Sequence, residues 1–133
     1  MISVIILNWN NAPDTLECLA SVYASDDSCF SVIVADNGSQ DDSLSILRQA
    51  YPHARYLSHG ENLGFAEGNN CAIRLAMEEG SEYIFLLNND AIIAKETLSQ
   101  LREAAAQHPN AAVLGPTIFF YDEPATIWHG GEE

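Results

Sequence analysis

The sequence has few basic residues, and this shortage limits the partners that the protein can bind. Five Lys and Arg stand against 19 Asp and Glu, which gives a formal net charge of −14. The phosphates of nucleic acids and the headgroups of anionic membranes repel such a chain, so we expect no nucleic-acid partner. A phosphorylated small ligand would need a divalent cation to offset the negative charge on both sides.

Cysteine is also rare, and long apolar runs are absent. The three cysteines are Cys18, Cys29 and Cys71. Their odd number and the lack of a Cys-x-x-Cys pair suit buried free thiols in a reducing compartment, and small core residues are favoured over a redox or metal role. No apolar run approaches the ~20 residues that cross a bilayer, and the first residues lack the basic start of a signal peptide. We therefore expect no transmembrane segment in this chain and a cytoplasmic location, with the inner face of the membrane as the alternative for a full-length protein.

Several common catalytic and binding motifs are missing as well. The sequence has neither the G-x-G-x-x-G turn of a dinucleotide site nor the G-x-x-x-x-G-K-[ST] loop of a P-loop protein. It also lacks G-x-S-x-G and H-E-x-x-H, which carry a hydrolase nucleophile and a zinc-protease site. Any nucleotide must therefore be bound in another way.

Short apolar runs predict the strands of a sheet. Because the runs are continuous and do not alternate with polar residues, they are typical of parallel strands that are buried on both faces. The predicted strands cover residues 2–7, 30–35, 54–57, 83–87 and 112–114.

Segments with helical spacing lie between these runs, over residues 13–23, 41–50, 66–79 and 95–108. Pro13 suits the first turn of a helix, where its missing N–H costs nothing. The inward face of this first helix is predicted to be Leu16, Leu19, Ala20 and Tyr23. The alternation of strands and helices over a chain of 133 residues predicts one Rossmann-like, three-layer α/β/α domain with a mainly parallel sheet.

Polar residues follow three of the predicted strands, where a parallel sheet of this kind binds its ligand. These clusters lie at residues 8–11, 36–39 and 88–90, and we expect them to meet at one edge of the sheet. Each cluster has a structural alternative when taken alone, because Asn, Asp, Gly and Ser also form turns and caps.

Four segments in order carry a resemblance to a known family: ISVIILNWNN, VIVADNGSQDDS, ENLGFAEGNN and FLLNNDAII. Together they resemble glycosyltransferase family 2 over nearly the whole chain, and the form G-F-A-x-G-N-N looks like its rhamnosyltransferase-like branch. The resemblance implies a GT-A fold and a domain that binds a nucleotide-sugar donor, UDP- or dTDP-linked. It also implies inverting transfer to a saccharide or lipid-linked acceptor in cell-wall or polysaccharide biosynthesis.

The same resemblance implies roles for individual residues. Asp36 matches the carboxylate that accepts a hydrogen bond from the base, and Leu7, Asn8 and Trp9 would lie beside that base. Asp90 closes the segment that matches the D-x-D signature and would hold Mg²⁺ or Mn²⁺ against the diphosphate. The other residues implied in nucleotide-sugar binding are Asn62, Gly64, Gly68, Asn69, Asn88 and Asn89. Since Asn88 stands where the signature has an acidic residue, we expect weak metal affinity without nucleotide.

Alternatives remain open for some of these residues and for the function. Trp9 could be a core residue, and Gly68 could serve helix packing alone. An inverting transferase needs a general base, which the family carries later in the chain, so we expect it beyond Glu133 and expect this donor half to be inactive alone. His129 is a weak candidate for the acceptor side. The competing functions are a sugar-phosphate nucleotidyltransferase, a non-catalytic nucleotide-binding module and, more distantly, a receiver domain.

Overall fold

The computed structural model describes residues 1–131 and contains a sheet of four parallel strands. The strands, in chain order, are β1 (Ile2–Asn8), β2 (Phe30–Asp36), β3 (Arg55–Ser58) and β4 (Tyr83–Asn88). They lie side by side in the order β3-β2-β1-β4. The predicted parallel sheet is therefore present, with β1 paired on both sides and in register with β2 from Ile2 to Asn8.

Four helices and a two-stranded hairpin complete the described residues. The helices are α1 (Ala12–Tyr23), α2 (Ser43–Ala50), α3 (Gly64–Glu78) and α4 (Thr97–Gln107), and the hairpin joins β5 (Ile118–Phe119) to β6 (Ile127–His129) in antiparallel pairing. The chain divides into two compact units. The first contains Met1–Ala24 and Ser28–Ile93, and the second contains Ser25–Asp27 and the chain from Ala94 onward. The prediction of one domain over residues 1–133 stays a prediction.

The two central strands of the sheet, β1 and β2, are buried on both faces, whereas no residue of β3 or β4 is fully buried. Right-handed crossovers from β1 to β2 and from β2 to β3 place α1 and α2 on one face, and the return from β3 to β4 places α3 on the other. Ile5, Ile33 and Ala35 pack with Ala72 and Ala76 of α3 in one fully buried cluster. The alternate residues of β1 and β2, which point to the opposite face, are Val4, Ile6, Val32 and Val34, and they are buried as well. Burial on both sides explains the continuous apolar runs in the sequence.

The predicted fifth strand at residues 112–114 is wrong. This segment is irregular, and the Val113 residue is 87% exposed. Gly115 and Pro116 follow at once, and Pro cannot donate a ladder hydrogen bond and restricts the residue before it, so a three-residue run cannot grow into a strand. The strands after α4 are instead the short β5 and β6, which the sequence analysis did not predict.

The predicted inward face of α1 is also partly wrong. Leu19 is buried as expected, but Ala20 is exposed and Tyr23 is 39% exposed, with its ring stacked on Tyr51 at 5.1 Å. The buried residues of the helix are Ala12, Thr15, Cys18, Leu19 and Val22. Two polar side chains, Thr15 and Cys18, therefore occupy the inward face because each makes hydrogen bonds there.

Two further expectations can be compared with the described residues. Of the cysteines, Cys18 is buried, Cys71 is half-buried and Cys29 is exposed, so the prediction of a core position holds for Cys18 alone. No helix within residues 1–131 is both long enough and apolar enough to cross a membrane.

Candidate functional site

A cavity of about 440 Å³ opens in the first unit at the carboxyl end of the sheet. β1 has β2 on one side and β4 on the other, and the chain turns toward β2 when it leaves β1. The loops that follow β1 and β4 therefore diverge. Eight of the residues predicted for nucleotide or metal binding lie in its wall: Leu7, Trp9, Asn62, Gly64, Asn69, Asn88, Asn89 and Asp90. The three polar clusters thus follow strands that end at the same edge, as the sequence predicted.

Three predicted residues, Asn8, Asp36 and Gly68, do not line this cavity. Five residues without a predicted binding role also line it: Asn11, Asn37, Phe65, and Leu86 and Leu87 of β4. Asn11 and Asn37 belong to polar clusters that had been noted as segments, and Phe65 stands between two residues of the predicted nucleotide-binding stretch. The sequence could indicate these residues only through the segments that contain them. Which residue of a segment faces the cavity depends on the strand pleat and the turn geometry.

Trp9 follows directly after β1 and lies in the cavity wall. The residue is 54% exposed, so the alternative that it is a core residue is wrong. Leu7, two residues earlier on the same strand, also contributes to the wall. The end of β1 therefore offers apolar surface on which a planar ring can stack.

Asn8 and Asp36 form a buried pair at the ends of β1 and β2. The Asn8 Nδ2 donates to Asp36 Oδ1 at 3.0 Å, and Ser39 donates to the same carboxylate twice, from its hydroxyl at 2.6 Å and from its backbone N–H at 3.1 Å. The Asp36 residue is only 2% exposed. A carboxylate can accept about four hydrogen bonds, so one acceptor position remains, on Oδ2.

The start of α3 is held by two asparagine side chains. Asn37 Oδ1 accepts the N–H of Leu63 at 3.0 Å, and Asn62 Oδ1 accepts the N–H of Gly64 at 2.8 Å. The two amides also bond to each other, with Asn37 Nδ2 donating to Asn62 Oδ1 at 3.0 Å. Two of the four backbone donors that open this helix are therefore already taken by side chains and are not available to an anion. Within residues 1–131, the backbone N–H groups of this first turn that have no protein acceptor are those of Phe65 and Ala66.

Gly68 packs one turn of α3 against β1. A Cβ at this position would lie 2.9 Å from Leu7 Cδ1 and 3.2 Å from Asn37 Oδ1. The structure therefore shows the packing role that the sequence had left open, and a larger side chain would push Leu7 out of its place in the cavity wall. Asn69, the next residue, is buried, and its Nδ2 donates to the Phe65 carbonyl at 2.8 Å.

The segment Asn88–Asp90 ends β4 and contributes three residues to the cavity wall. The side chains of its first and last residues are exposed, whereas Asn89 is half-buried and its Nδ2 donates to Thr15 Oγ1 at 3.1 Å. The thiol of Cys18 donates to the Asn88 carbonyl at 3.5 Å. Burial, and to a lesser degree the nearby charge of Asp90, raises the pKa of Cys18 to about 12, so this thiol stays protonated and can donate.

Asp90 is the one carboxylate in the cavity wall, and within the described residues no Lys or Arg lines it. No three His, Cys, Asp or Glu side chains in residues 1–131 are grouped so that they could hold a metal ion by themselves. The oxygens available are the Asp90 carboxylate and the Asn88 amide. Because Mg²⁺ commonly takes only one or two protein carboxylates and completes its shell with phosphates and water, this set fits an ion that binds together with a diphosphate. The general base expected beyond Glu133 lies outside the described residues, and His129 lies exposed in β6 of the second unit.

Comparison with known sequences gives one family and several relatives. The profile of glycosyl transferase family 2 matches residues 3–133. An N-acetylglucosaminyl-diphospho-decaprenol L-rhamnosyltransferase of Mycobacterium tuberculosis is 29% identical over 126 residues, which cover 89% of this chain and 41% of that protein. A low-salt glycan biosynthesis hexosyltransferase of Haloferax volcanii is 30% identical over 120 residues, which cover 88% of this chain and 36% of that protein. The chain thus spans about two fifths of the length of these relatives.

Comparison with solved structures gives the same fold. A mannosyltransferase from Pyrobaculum calidifontis in complex with GDP-Man and Mn²⁺ superposes with a TM-score of 0.72 at 27% identity, over 79% of this chain and 32% of that chain. S. aureus TarS 1–349 in complex with UDP-GlcNAc superposes with a TM-score of 0.73 at 24% identity, over 89% of this chain and 38% of that chain. The predicted GT-A fold, a mostly parallel sheet between helices, is confirmed.

Proposed function

The chain belongs to glycosyl transferase family 2, and from this membership we propose that it binds the nucleotide-sugar donor of a glycosyl transfer. The observation that carries the proposal is the cavity at the ends of β1 and β4, in which an exposed Trp9 and an exposed Asp90 share the wall. An aromatic surface suits a base, and a carboxylate without basic neighbours suits a metal-bound diphosphate.

Asp36 is the proposed partner of the base. Its remaining acceptor position on Oδ2 suits a ring N–H, which uracil and thymine both carry, so the proposed donor is UDP- or dTDP-linked. Asn8 acts through this carboxylate, since its amide is already bonded to Oδ1 and cannot also face a ligand freely. Leu7 and Trp9 would contact the ring from the end of β1.

The ribose and the diphosphate would lie along the start of α3 and the end of β4. Asn62, Gly64 and Asn69 line that part of the cavity, and Gly68 supports it through its contact with Leu7. Asp90, with Asn88 and Asn89 beside it, is the proposed contact for Mg²⁺ or Mn²⁺. Such an ion, when bound, neutralises the charge that develops on the departing nucleoside diphosphate. The mannosyltransferase structure that contains GDP-Man and Mn²⁺ supports the use of a divalent ion.

Transfer itself also needs an acceptor and a general base. An acceptor hydroxyl would attack C1 of the donor sugar with inversion while a general base takes its proton, and we place that base beyond Glu133. The proposed acceptor is a saccharide or a lipid-linked sugar in cell-wall or polysaccharide biosynthesis. The mycobacterial relative, whose name contains N-acetylglucosaminyl-diphospho-decaprenol, supports this class and a rhamnosyltransferase-like activity. The full-length protein would then work at the cytoplasmic face of a membrane.

The competing nucleotidyltransferase function receives less support from the cavity. A triphosphate needs a glycine-rich or basic loop after the first strand, and the loop from β1 to α1 consists of Trp9, Asn10 and Asn11. This loop is instead tied to the next one, since Ser39 Oγ accepts the N–H of Asn10 at 2.9 Å. A non-catalytic nucleotide-binding module would share the cavity, and an activity assay of a full-length protein separates the two.

Calorimetric titration tests the proposal. UDP, dTDP and GDP are titrated into the folded chain with and without Mn²⁺, and we expect UDP or dTDP to bind more tightly when Mn²⁺ is present. Asp90→Asn should lower the gain in affinity from Mn²⁺ by at least about tenfold, because unit charges near 4 Å interact by about 4 kcal/mol at an effective dielectric constant near 20. Asp42→Asn is the matched control, since Asp42 is exposed and makes no side-chain capping bond. Absence of nucleotide binding, or an equal loss in both variants, contradicts the proposal.

A further inference from the structure

Three small polar side chains lie along one face of α1, directly under the segment that ends β4. Thr15, Cys18 and Ser21 are spaced three residues apart, which brings them onto the same side of the helix. Thr15 Oγ1 accepts from Asn89 Nδ2 at 3.1 Å, the Cys18 thiol donates to the Asn88 carbonyl at 3.5 Å, and Ser21 Oγ accepts the N–H of Ile93 at 3.1 Å. The six residues from Asn88 to Ile93 are thus attached to α1 at three points.

The hydrogen-bond directions at Thr15 show why a hydroxyl stands in the core. A threonine hydroxyl has one hydrogen to donate and two lone pairs that accept. Its oxygen lies 2.8 Å from Asn8 Oδ1 and 2.8 Å from the Asn11 carbonyl, and that carbonyl already accepts the backbone N–H of Thr15. The Thr15 hydroxyl therefore donates its hydrogen to Asn8 Oδ1, which is fully buried, and its lone pairs remain to accept from Asn89.

The position of Asn89 has a geometric consequence for its neighbours. All three residues of the segment lie in the cavity wall, but the Asn89 amide is half-buried and directed toward Thr15 on α1, whereas Asn88 and Asp90 on either side of it are exposed. Without the bond to Thr15, the short segment after β4 could rotate, and the Asp90 carboxylate would no longer be held toward the cavity. Fixing a ligand side chain before binding removes an ordering cost from the binding step.

We propose that Thr15 is a positioning residue for metal-dependent donor binding: through Asn89, and with Cys18 and Ser21 beside it, it holds Asp90 toward the cavity. This inference rests on the proposed function. Thr15 does not line the cavity, and its effect is carried by hydrogen bonds that run from Asn8 of β1 through Thr15 of α1 to Asn89 after β4.

The test measures the gain in UDP affinity that Mn²⁺ produces, by calorimetry of the whole chain with and without the ion. Thr15→Val keeps the shape of the side chain and removes the hydroxyl, and we expect it to lower that gain by about three- to tenfold, the size of one lost hydrogen bond. Thr15→Ser restores the hydroxyl and should restore the gain. A purely structural role would lower stability and leave the Mn²⁺ dependence unchanged.

Ser3→Ala is the matched control. Ser3 is also a buried hydroxyl, bonded to Ser31 Oγ at 2.8 Å and Ser81 Oγ at 2.6 Å, but it lies at the opposite end of β1. We expect this variant to lose stability and to keep the Mn²⁺ gain of the wild type. If Thr15→Val does not fold, Asn89→Ala removes the same bond from the half-buried side and should give the same loss of gain.

The outcomes separate the two proposals. A wild type that binds neither UDP nor dTDP overturns the proposed function, and the positioning role fails with it. The positioning role alone is overturned if Mn²⁺ raises the UDP affinity of the wild type and raises it equally in folded Thr15→Val and Asn89→Ala variants.

Discussion

Gly38 and Gly60 share a φ of +77° but have different surroundings, so substituting each by Ala isolates one steric contact. A Cβ at Gly38 would lie 2.5 Å from the backbone carbonyl carbon of Glu61 and 2.6 Å from its Cα, whereas a Cβ at Gly60 meets no atom within 4 Å. The left-handed conformation costs an Ala about 1–2 kcal/mol, and the stiffer unfolded chain offsets about 0.4–1 kcal/mol of this. Gly60→Ala should therefore lower the free energy of unfolding by about 1 kcal/mol.

Gly38→Ala meets the same conformational cost and a backbone obstacle in addition. Because Glu61 cannot turn its main chain away as it could a side chain, the extra cost is that of overpacking, about 1–3 kcal/mol. We expect a total loss of roughly 2–4 kcal/mol. Glu61 precedes Asn62, whose Oδ1 accepts the N–H of Gly64 at the start of α3, so nucleotide affinity should fall in this variant as well.

Urea unfolding at 25 °C, followed by circular dichroism, measures the free energy of unfolding of both variants. The slopes of free energy against urea concentration are compared first, because only equal slopes allow the free energies to be compared directly. A difference of less than about 0.5 kcal/mol between the two variants would refute the steric argument, since φ is the same at both positions. Unchanged UDP affinity in a destabilised Gly38→Ala would refute its link to the start of α3.

Two further predictions concern the base contact and the half-buried phenol of Tyr56. Asp36→Asn should weaken UDP binding without Mn²⁺ by about tenfold or more, because a hydrogen bond to a charged acceptor contributes about 1.5–3 kcal/mol. Calorimetry measures this loss. The control is Ser39→Ala, which keeps the carboxylate and should weaken binding less. Tyr56 donates its hydroxyl to the Leu47 carbonyl at 2.7 Å, and burial raises the pKa of Tyr56 to about 12. Since an unfolded tyrosine has a pKa near 10, the unfolded chain loses this proton first and stability should fall between about pH 10 and pH 12. Urea titrations across this range should show a shallower fall for Tyr56→Phe, and an equal slope would contradict the assignment.

The sheet could be predicted from the sequence because its chemistry is repetitive. β1 and β2 are continuous apolar runs, and burial on both faces leaves no other pattern possible for them. The same reasoning failed at residues 112–114, where the run is short and Gly115 and Pro116 end it. It also missed β5 and β6, because two strands of two and three residues carry too little pattern to distinguish them from a loop.

The candidate site was predicted at the level of segments, and less well at the level of side chains. Asp36 and Asn8 were correctly located at adjacent strand ends, but their mutual hydrogen bond depends on the register of β1 with β2, which a sequence does not state. The inward position of Thr15 was not predicted, because helical periodicity is read from apolar residues, and the core position predicted for Cys18 did not include its hydrogen bond to Asn88. A polar residue repeated every third position on a helix was the available signal, and its meaning became clear only with the partners at Asn88 and Asn89 in place.

The exposed indole in the cavity wall gives the protein an optical reporter of its own. The chain has two tryptophans, Trp9 and Trp128. Replacing Trp128 by Phe leaves a single tryptophan, at the end of β1, and excitation above the tyrosine absorption gives an emission whose wavelength and intensity depend on whether water or a stacked ring covers it. Occupancy of the cavity can then be followed by fluorescence, without a label and at protein concentrations well below those of calorimetry.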